Sequence, residues 1–453
     1  MSKHKAGVLR ETPLGAITSD WEMGVVGDFV AALRAGVSVN AVETESGCLA
    51  NEVGVLKTGA VLQGKFNPKQ HKVVVPEDVG RVATSVVGDR IIISRMNTPA
   101  LVGESGYVPH DVSNLFLPDR LWQTEPSERP QSQRWLSYWL QHPSIRRLVA
   151  AGATGTSNSM KNISKETVLS LPVPLTPLPE QKKIAAVLTA MDNKLDVIAR
   201  QIEATQALRL GLLQTLFSRG VGGRNADGSW SPHVEFNGDS RQPLPTSWNT
   251  VRLGDVAPLI RRPVEVEPEN SYPELGLRSY GKGTFHKPSL SGAEVGNKRL
   301  FEIKAGDLLF SNVFAWEGAV AVAKPKDDGR FGSHRYITCE VEASRADTMY
   351  LFRYLTTPAG IAALTLASPG GAGRNKTLGL SALANISIPL PPLEEQKEIT
   401  AILDCVDAKL SVLASKMDSF QTLKRGLMQK LLTGEWRVNI ESAVHDPEMA
   451  MLA

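Results

Sequence analysis

One internal repeat constrains the architecture of this chain more than any other feature. The segment PLTPLPEQKKI, which begins at Pro174, returns without a gap as PLPPLEEQKEI from Pro389, 215 residues later (389 − 174). The same offset pairs Asp192 with Asp407 further along the chain. A duplication of this length indicates two copies of one architectural unit. We therefore expect two related surfaces, each of which meets the binding partner once.

Each copy of the repeat continues as a long helix. Apolar residues recur at alternating spacings of four and three, from Ile184 to Ile202 in the first copy and from Ile399 to Met417 in the second. This spacing is the heptad pattern of a coiled coil. The pattern then predicts a step in phase, to Leu208, Leu212 and Leu216 in one helix and to Leu423, Leu427 and Leu431 in the other. Because duplicated helices are natural partners, we expect an antiparallel pair with a pseudo-two-fold axis.

The remaining segments mix short β-rich runs with few helical periods, which predicts globular domains of mixed α and β structure. The predicted fold class is α+β, with two tandem mixed α/β domains separated by the two long helices. The predicted parts are a first domain at 1–155, a helical region at 156–220 with its helix at 178–218, a linker at 221–245, a second domain at 246–373, a helical region at 374–438 with its helix at 393–433, and a tail at 439–453.

Composition excludes several classes of protein. No run of about 18 apolar residues is present to span a bilayer, and the first residues lack the apolar core of a signal peptide, so we expect a cytoplasmic protein. The three cysteines form no Cys-x-x-Cys pair, and the eight histidines show no metal-ligand spacing. A net charge of +3 is small for a nucleic-acid binder. If DNA is the partner, the positive charge must be concentrated on one face.

Two motifs suggest catalysis and fail on inspection. The segment 370–377 looks like a phosphate-binding loop, but Asn375 stands where that motif requires glycine before Lys376. Glu302-Ile303-Lys304 has the Glu-x-Lys of some metal-dependent nucleases without a convincing Pro-Asp partner upstream, and a β-strand is the simpler interpretation. No loop for a methyl donor follows a strand. The sequence therefore predicts no catalytic residue, no metal site and no bound cofactor.

The paired proline-rich segments and the long helices that follow them resemble the DNA-specificity subunit of type I restriction-modification systems. The resemblance covers nearly the whole chain, from about Trp21 to Val438. It implies that each globular domain is a target-recognition domain that reads one half of an interrupted sequence in double-stranded DNA. It also implies two kinds of protein partner. Two methyltransferase subunits bring S-adenosylmethionine, and restriction or translocase subunits bring ATP and Mg. The resemblance implies no contact with a membrane.

Alternatives stay open from the sequence. The partner subunit could fuse methylation and cleavage in one chain, the protein could itself be a metal-dependent nuclease through Glu302 and Lys304, or it could be a coiled-coil adaptor that never touches DNA. Salt-dependent binding to a duplex distinguishes DNA recognition from the adaptor.

Candidate contacts are polar, basic or aromatic side chains in loops of the two domains, since these residue types read base edges and phosphates. The expected DNA contacts are Lys65, Asn67, Lys69, His71, Lys72, Arg95 and Asn97 in the first domain and Arg278, Ser279, Tyr280, Lys282, His286, Lys287, His334 and Arg335 in the second. A solvated turn is the competing interpretation of the segment 65–72. The residues expected at the spacer and at the interface with partner subunits are Glu180, Gln181, Ile184, Glu395, Gln396 and Ile399.

Overall fold

The computed structural model describes residues 8–43, 52–155, 160–237, 243–370 and 376–439. The segment 371–375, which contains most of the loop that looks like a phosphate-binding motif, lies outside these residues. The chain divides into two compact units: unit 1 comprises Met1–Ala199 with Lys416–Ala453, and unit 2 comprises Arg200–Ser415. Each division point falls inside a long helix, so each unit contains one globular part and a portion of both helices.

Unit 1 contains two main sheets. Its strands are β1 (Leu9–Thr12), β2 (Gly15–Thr18), β3 (Met23–Val25), β4 (Val30–Ala35), β5 (Ala41–Val42), β6 (Gly54–Leu56), β7 (Val61–Leu62), β8 (Gly64–Phe66), β9 (His71–Val74), β10 (Ser85–Val86), β11 (Arg90–Ser94), β12 (Met96–Asn97), β13 (Ser105–Val108), β14 (Val112–Phe116), β15 (Leu121–Pro126), β16 (Lys161–Asn162) and β17 (Pro172–Pro174). Its short helices are α1 (Gln133–Leu140), α2 (Pro143–Gly152) and α3 (Lys165–Leu169). The sheet orders are β4-β15-β11-β13-β8-β7 and β10-β14-β6-β9-β5.

The central strand β11 shows why this sequence forms a sheet covered on both faces. Side chains alternate between the faces of a strand, so three consecutive isoleucines must enter two different cores. Ile91 and Ile93 join the core that contains the tryptophans of α1, whereas Ile92 joins a separate cluster around Leu115. Ser132 begins α1 by accepting a hydrogen bond from the Trp135 N–H, as an N-cap residue does.

Unit 2 repeats this plan with fewer strands. Its strands are β18 (Gly223–Arg224), β19 (Trp230–Ser231), β20 (Asn249–Arg252), β21 (Leu259–Ile260), β22 (Pro263–Val264), β23 (Ser271–Leu277), β24 (Thr284–Ser291), β25 (Leu300–Ile303), β26 (Leu308–Ser311), β27 (Val320–Val322), β28 (Arg330–Ser333), β29 (Tyr336–Cys339) and β30 (Ser387–Leu390). The sheet orders are β21-β29-β26-β27 and β22-β25-β28-β23-β24. In β26, Leu308 and Phe310 enter the main core, and Leu309 enters a second cluster with Leu275.

Two long helices were expected, and both are present. They are α4 (Leu178–Arg219) and α10 (Leu393–Leu432), and the helices of unit 2 between them are α5 (Leu253–Val256), α6 (Gly292–Val295), α7 (Thr348–Leu355), α8 (Pro358–Leu366) and α9 (Leu380–Ala384). Each long helix follows a short strand: β17 pairs with β3, and β30 pairs with β20. Among the described residues, no helix combines the length and the apolar character needed to cross a bilayer.

The long helices run antiparallel within each unit, as predicted. In unit 1, Asp192 of α4 pairs with Lys424 of α10, and Glu180, twelve positions earlier in the chain (192 − 180), pairs with Arg437, which lies beyond the end of α10. In unit 2, Arg209 of α4 pairs with Asp407 of α10. The fold class expected from the repeat is therefore confirmed in its two mixed α/β parts and its helical pair.

The predicted phase step in the heptads is wrong at Leu208 and Leu423, although the other four leucines predicted after it, Leu212, Leu216, Leu427 and Leu431, do pack in the cores. Leu208 and Leu423 are 53% and 50% exposed, respectively, whereas Thr205 is buried. Continuing the four-three spacing without a step places Thr205 and Arg209 in the seam, and the equivalent positions in α10 are Phe420 and Lys424. Polar and charged residues at two seam positions hid the regular repeat, because the sequence pattern counts only apolar residues.

Substitutions at neighbouring positions test this corrected seam. Leu208→Gln is expected to change the free energy of unfolding by less than about 0.5 kcal/mol, because the leucine faces solvent. Thr205→Asp is expected to destabilise the protein by about 2 kcal/mol, because it places a charge in the helical seam. Chemical denaturation measures both values, and a larger loss for the Leu208 variant would restore the phase step.

Candidate nucleic-acid interface

The segment between β23 and β24, residues 278–283, forms a tight loop that we call the tyrosine loop. Tyr280, Gly281 and Gly283 have φ angles of 62°, 63° and 79°. The Arg278 N–H donates to the Gly283 carbonyl at 3.0 Å, which closes the loop. The Arg278 guanidinium donates to the Thr284 carbonyl at 2.8 Å and stacks on the Phe285 ring. The Arg278 side chain therefore stabilises the loop, and its cationic group already has partners.

The tyrosine loop is fixed to a supporting turn, residues 314–318. The Tyr280 N–H donates to the Glu317 carbonyl and the Gly281 N–H to the Gly318 carbonyl, both at 2.8 Å. The Ser279 hydroxyl donates to the Glu317 carboxylate at 3.1 Å. The backbone is thus held while the Tyr280 side chain stays 71% exposed.

Basic side chains lie beside the supporting turn. The backbone of Asn312, next to the turn, bonds to Arg335 on one side and to Leu378 on the other, at 2.7 and 2.8 Å. The Lys376 ammonium lies 4.8 Å from the centroid of the half-buried Trp316 ring. Lys282 is exposed on the tyrosine loop itself. His334 and Arg335 are exposed as well, so this edge of unit 2 presents an aromatic ring among basic side chains.

His286 and Lys287 have internal partners instead. The His286 Nε2 lies 2.8 Å from a carboxylate oxygen of Asp327, which is fully buried. Burial alone would raise the pKa of Asp327, but hydrogen bonds from the Lys324 N–H, His286 and the Thr284 hydroxyl lower it below its ordinary value. The Lys287 ammonium lies 3.4 Å from the buried Glu274 carboxylate.

In unit 1, the predicted basic loop is a structured turn between β8 and β9. The Asn67 side chain accepts a hydrogen bond from the Lys69 N–H at 3.0 Å, and the His71 Nδ1 lies 2.6 Å from the Pro68 carbonyl. Lys65 pairs with Asp196 of α4, and Lys72 lies 3.3 Å from the Glu43 carboxylate. Asn67 and Lys69 remain exposed at the tip of the turn.

Arg95 precedes the short strand β12, and Asn97 lies within that strand, which pairs with β16. The Asn97 side chain accepts from the Thr98 N–H at 2.9 Å, and Asn97 pairs in register with Lys161. Arg95 is exposed. Lys161, which the repeat aligns with Lys376, donates to the Gly155 carbonyl at 2.7 Å.

The repeated Glu-Gln pair at the start of each long helix has the same arrangement in both units. The side-chain oxygen Oε1 of Gln181 accepts from the Ser132 N–H at 2.9 Å, at the start of α1. The side-chain oxygen Oε1 of Gln396 accepts from the Asp347 N–H at 2.8 Å, at the start of α7. Each glutamine thus joins a long helix to a short helix of its globular part, α1 or α7, which accounts for the duplication of this residue.

The two glutamates are buried with different partners. The Glu180 carboxylate binds the Arg437 guanidinium through two contacts of 2.6 and 3.1 Å, and these bonds raise the pKa of Arg437. The Glu395 carboxylate accepts from the N–H groups of Val221 and Gly222 and from the Trp248 indole at 2.9 to 3.0 Å. His233 also contacts it at 2.9 Å.

All six residues predicted at the spacer and the subunit interface are nearly inaccessible, with exposures of at most 3%. They are Glu180, Gln181, Ile184, Glu395, Gln396 and Ile399. Their contacts lie inside their own units, so they position the helices and offer little area to another subunit.

Each unit also contains an ion-pair cluster around the repeated aspartate. Asp192 contacts the Lys424 ammonium and the Tyr138 hydroxyl, both at 2.6 Å. Asp407 contacts Arg209 at 2.5 Å and Arg353 at 2.9 Å. Burial would raise the pKa of Asp407, but hydrogen bonds from the two arginines lower it below its ordinary value.

Sequence reasoning paired the two aspartates and missed their cations. The available signal was the repeat itself, because the offset that relates Asp192 to Asp407 also relates Arg209 to Lys424. A cation at both repeat-related positions, with an aspartate at both of the other two, indicates a contact that the two units share.

The possible nuclease motif lies in an ordinary strand. Glu302 pairs in register with Phe331 in the β25–β28 ladder, and the Lys304 N–H donates to the Asp307 carboxylate at 2.8 Å. Within the described ranges there is no group of three or more His, Cys, Asp or Glu residues that could hold a metal ion.

Comparison with known proteins assigns the family. A type I restriction enzyme MjaVIII specificity subunit of Methanocaldococcus jannaschii is 24% identical over 61% of this chain and 65% of its own length. The protein assigned as the MjaX specificity subunit of the same organism is 25% identical over 96% of this chain and 98% of its own length. The crystal structure of a type I restriction-modification S subunit from M. genitalium shares the fold, with a TM-score of 0.54, 16% identity, and coverage of 91% of this chain and 96% of that one. The family model for the type I restriction modification DNA specificity domain matches residues 19–206 and 245–417, one copy for each half of the repeat, and the chain therefore belongs to this family of specificity subunits.

Proposed function

We propose that this specificity subunit reads a bipartite target in double-stranded DNA, with one half-site for each unit. The observation that carries the proposal is that the two units hold their long helices by the same contacts but present different loops. Both units use the same glutamine bond at the helix start and the same aspartate cluster at the seam. They differ where unit 1 presents a turn at 67–70 and unit 2 presents the tyrosine loop. Two units with the same helix contacts and different loops are suited to the recognition of two different DNA sequences.

The candidate contacts divide by whether a charged group, a hydroxyl or an imidazole has an ion pair or hydrogen bond inside the protein. Accessibility alone does not divide them, because Lys65, Arg278 and His286 are exposed as well. The first group is exposed or half-exposed and consists of Asn67, Lys69, Arg95 and Asn97 in unit 1 and Tyr280, Lys282, His334 and Arg335 in unit 2, to which we add Lys376. The candidates with internal partners are Lys65, His71, Lys72, Arg278, Ser279, His286 and Lys287. We propose that the first group contacts DNA and that the second group mainly shapes the loops.

The proposed complex supplies chemistry that this subunit does not. Two methyltransferase subunits bring S-adenosylmethionine and modify adenine, and restriction or translocase subunits bring ATP and Mg. The specificity subunit itself binds no cofactor and acts in the cytoplasm. A partner that fuses methylation and cleavage would use the same two-unit reader, and the neighbouring reading frames distinguish the two arrangements.

Mapping of adenine methylation tests the proposal. The full chain is co-expressed with the methyltransferase encoded beside it, and the methylated sites are sequenced. We expect a split motif, and replacing residues 15–155 with the matching part of another family member should change one half only. A motif that changes in both halves, or in neither, would contradict one half-site for each unit.

Removing one cation from the proposed surface should weaken DNA binding without changing its sequence preference. Lys282→Ala in the reconstituted methyltransferase is expected to lower duplex affinity and to reduce the slope of log K against log salt by about one. The matched control is Lys298→Ala, an exposed lysine outside the tyrosine loop. Equal effects of the two variants would show general electrostatic attraction and no contact at the loop.

A further inference from the structure

Tyr280 combines two features that rarely occur together in a structural residue. Its side chain is the most exposed aromatic side chain among the large hydrophobic residues that the structure describes, at 71%. Its backbone has a φ of 62°, in the left-handed region that residues with side chains seldom occupy. A glycine would adopt this backbone conformation without strain. The presence of a tyrosine therefore points to a role in binding and not in the stability of the fold.

Two buried tyrosines of the same globular part, Tyr350 and Tyr272, show what a structural role requires. Tyr350 is fully buried, and its hydroxyl donates to the Pro389 carbonyl at 2.8 Å. Tyr272 is buried, packs edge-on against Phe331 and donates to the Glu265 carbonyl at 3.3 Å. The Tyr280 ring has instead the Lys282 ammonium at 5.7 Å from its centroid and water around it. It therefore contributes little apolar burial to unit 2.

The backbone below the ring is held firmly. Besides its two hydrogen bonds to the supporting turn, the tyrosine loop packs against the end of α7. A Cβ atom at Gly281 would lie 2.9 Å from the Thr356 methyl, and one at Gly318 would lie 2.8 Å from the terminal methyl of Ile361. Both glycines also have positive φ, so neither position accepts a larger residue. The backbone that carries the ring is therefore fixed before binding, and only the torsions of the side chain remain to be ordered.

The charges around the ring favour one kind of partner. Lys282, Arg335 and Lys376 place cationic groups on the tyrosine loop, beside the supporting turn and over Trp316. Cations of this kind contact phosphates, which position a protein on a duplex, whereas apolar groups contact bases. An exposed aromatic ring on a fixed backbone, with cations nearby that suit phosphates, is suited to pack against a base edge in the major groove, where thymine presents its C5 methyl group.

We infer that Tyr280 determines part of the specificity of unit 2 through an apolar contact between its ring and one thymine of the half-site. This inference rests on the proposed function and names one base contact within it. The ring supplies the contact, and the hydroxyl is not required.

Three variants test the inference in the co-expressed complex. Tyr280→Phe keeps the ring, Tyr280→Ala removes it, and Tyr280→Gly removes it while suiting the positive φ. We expect the phenylalanine variant to methylate the wild-type motif. The alanine and glycine variants should lose about tenfold in methylation rate at the wild-type site and accept other bases at one position of the half-site read by unit 2.

The outcomes are separable. A wild-type complex without a split motif would refute the proposed function itself. A wild-type split motif that the glycine variant reproduces at an unchanged rate would overturn only the role of Tyr280. Loss of recognition in the phenylalanine variant would show readout through the hydroxyl and overturn the apolar contact. Loss in the alanine variant that the glycine variant restores would assign the effect to loop conformation and overturn the contact with a base.

Discussion

Glu395→Ala is expected to lower the free energy of unfolding by about 3–5 kcal/mol, the usual cost of removing one partner from a buried charged cluster. The Glu395 carboxylate is 2% exposed and accepts hydrogen bonds from two backbone N–H groups and the Trp248 indole. Alanine would leave these buried donors without an acceptor, and each costs free energy when it is cut off from water. Chemical denaturation of the full chain, followed by circular dichroism, measures the loss.

The matched control is the preceding residue. Glu394 is exposed and pairs with Arg224 at 3.2 Å on the surface. Glu394→Ala should therefore cost less than about 1 kcal/mol. If the two substitutions cost the same, the buried network around Glu395 would not stabilise the start of α10.

Arg437→Ala is expected to destabilise unit 1 by a similar amount, about 3–5 kcal/mol. The arginine is the partner of the Glu180 carboxylate, which is 3% exposed, and its guanidinium also covers the Trp21 ring at 5.6 Å and pairs with Asp20. Without the arginine, Glu180 would be a buried charge at the start of α4 with no cation beside it. Thermal or urea unfolding of the full chain measures the shift.

Arg425 provides the control, since it is exposed on α10 and its guanidinium bonds only to the nearby Thr422 hydroxyl among the described residues. Arg425→Ala should change stability by less than about 0.5 kcal/mol. Combining Arg437→Ala with Glu180→Gln should recover part of the loss, because the neutral amide does not require a cation. Additive losses in the double variant would show that the two residues do not act through each other.

Periodic features were predictable from the sequence. The two long helices follow from apolar spacing and from the prolines before them, and their antiparallel pairing follows from the duplication. The error at Leu208 came from the same method, because a seam position occupied by Arg209 carries no apolar signal. The structure shows that this cation meets Asp407 across the helix pair.

The loops were less predictable, for a physical reason. Local composition identified Tyr280 and Lys282 as accessible, and both are exposed. It also selected His286, whose partner Asp327 lies 41 residues away in sequence and is brought beside it only by the fold. Whether a basic or polar side chain faces DNA or a carboxylate depends on such distant pairs, which residue types and spacing do not specify. The individual DNA contacts therefore stay a prediction.

The discontinuous composition of unit 1 has a consequence for synthesis on the ribosome. Unit 2 is one continuous stretch, whereas unit 1 needs residues from both ends of the chain, and the pair of Asp20 and Arg437 joins positions 417 residues apart. A nascent chain can therefore finish the second unit before the first has its last helix segment. A product that stops short of Lys416 would leave Glu180 without its arginine. Premature termination would therefore leave unit 1 incomplete, although every residue of the loops in its globular part has been translated.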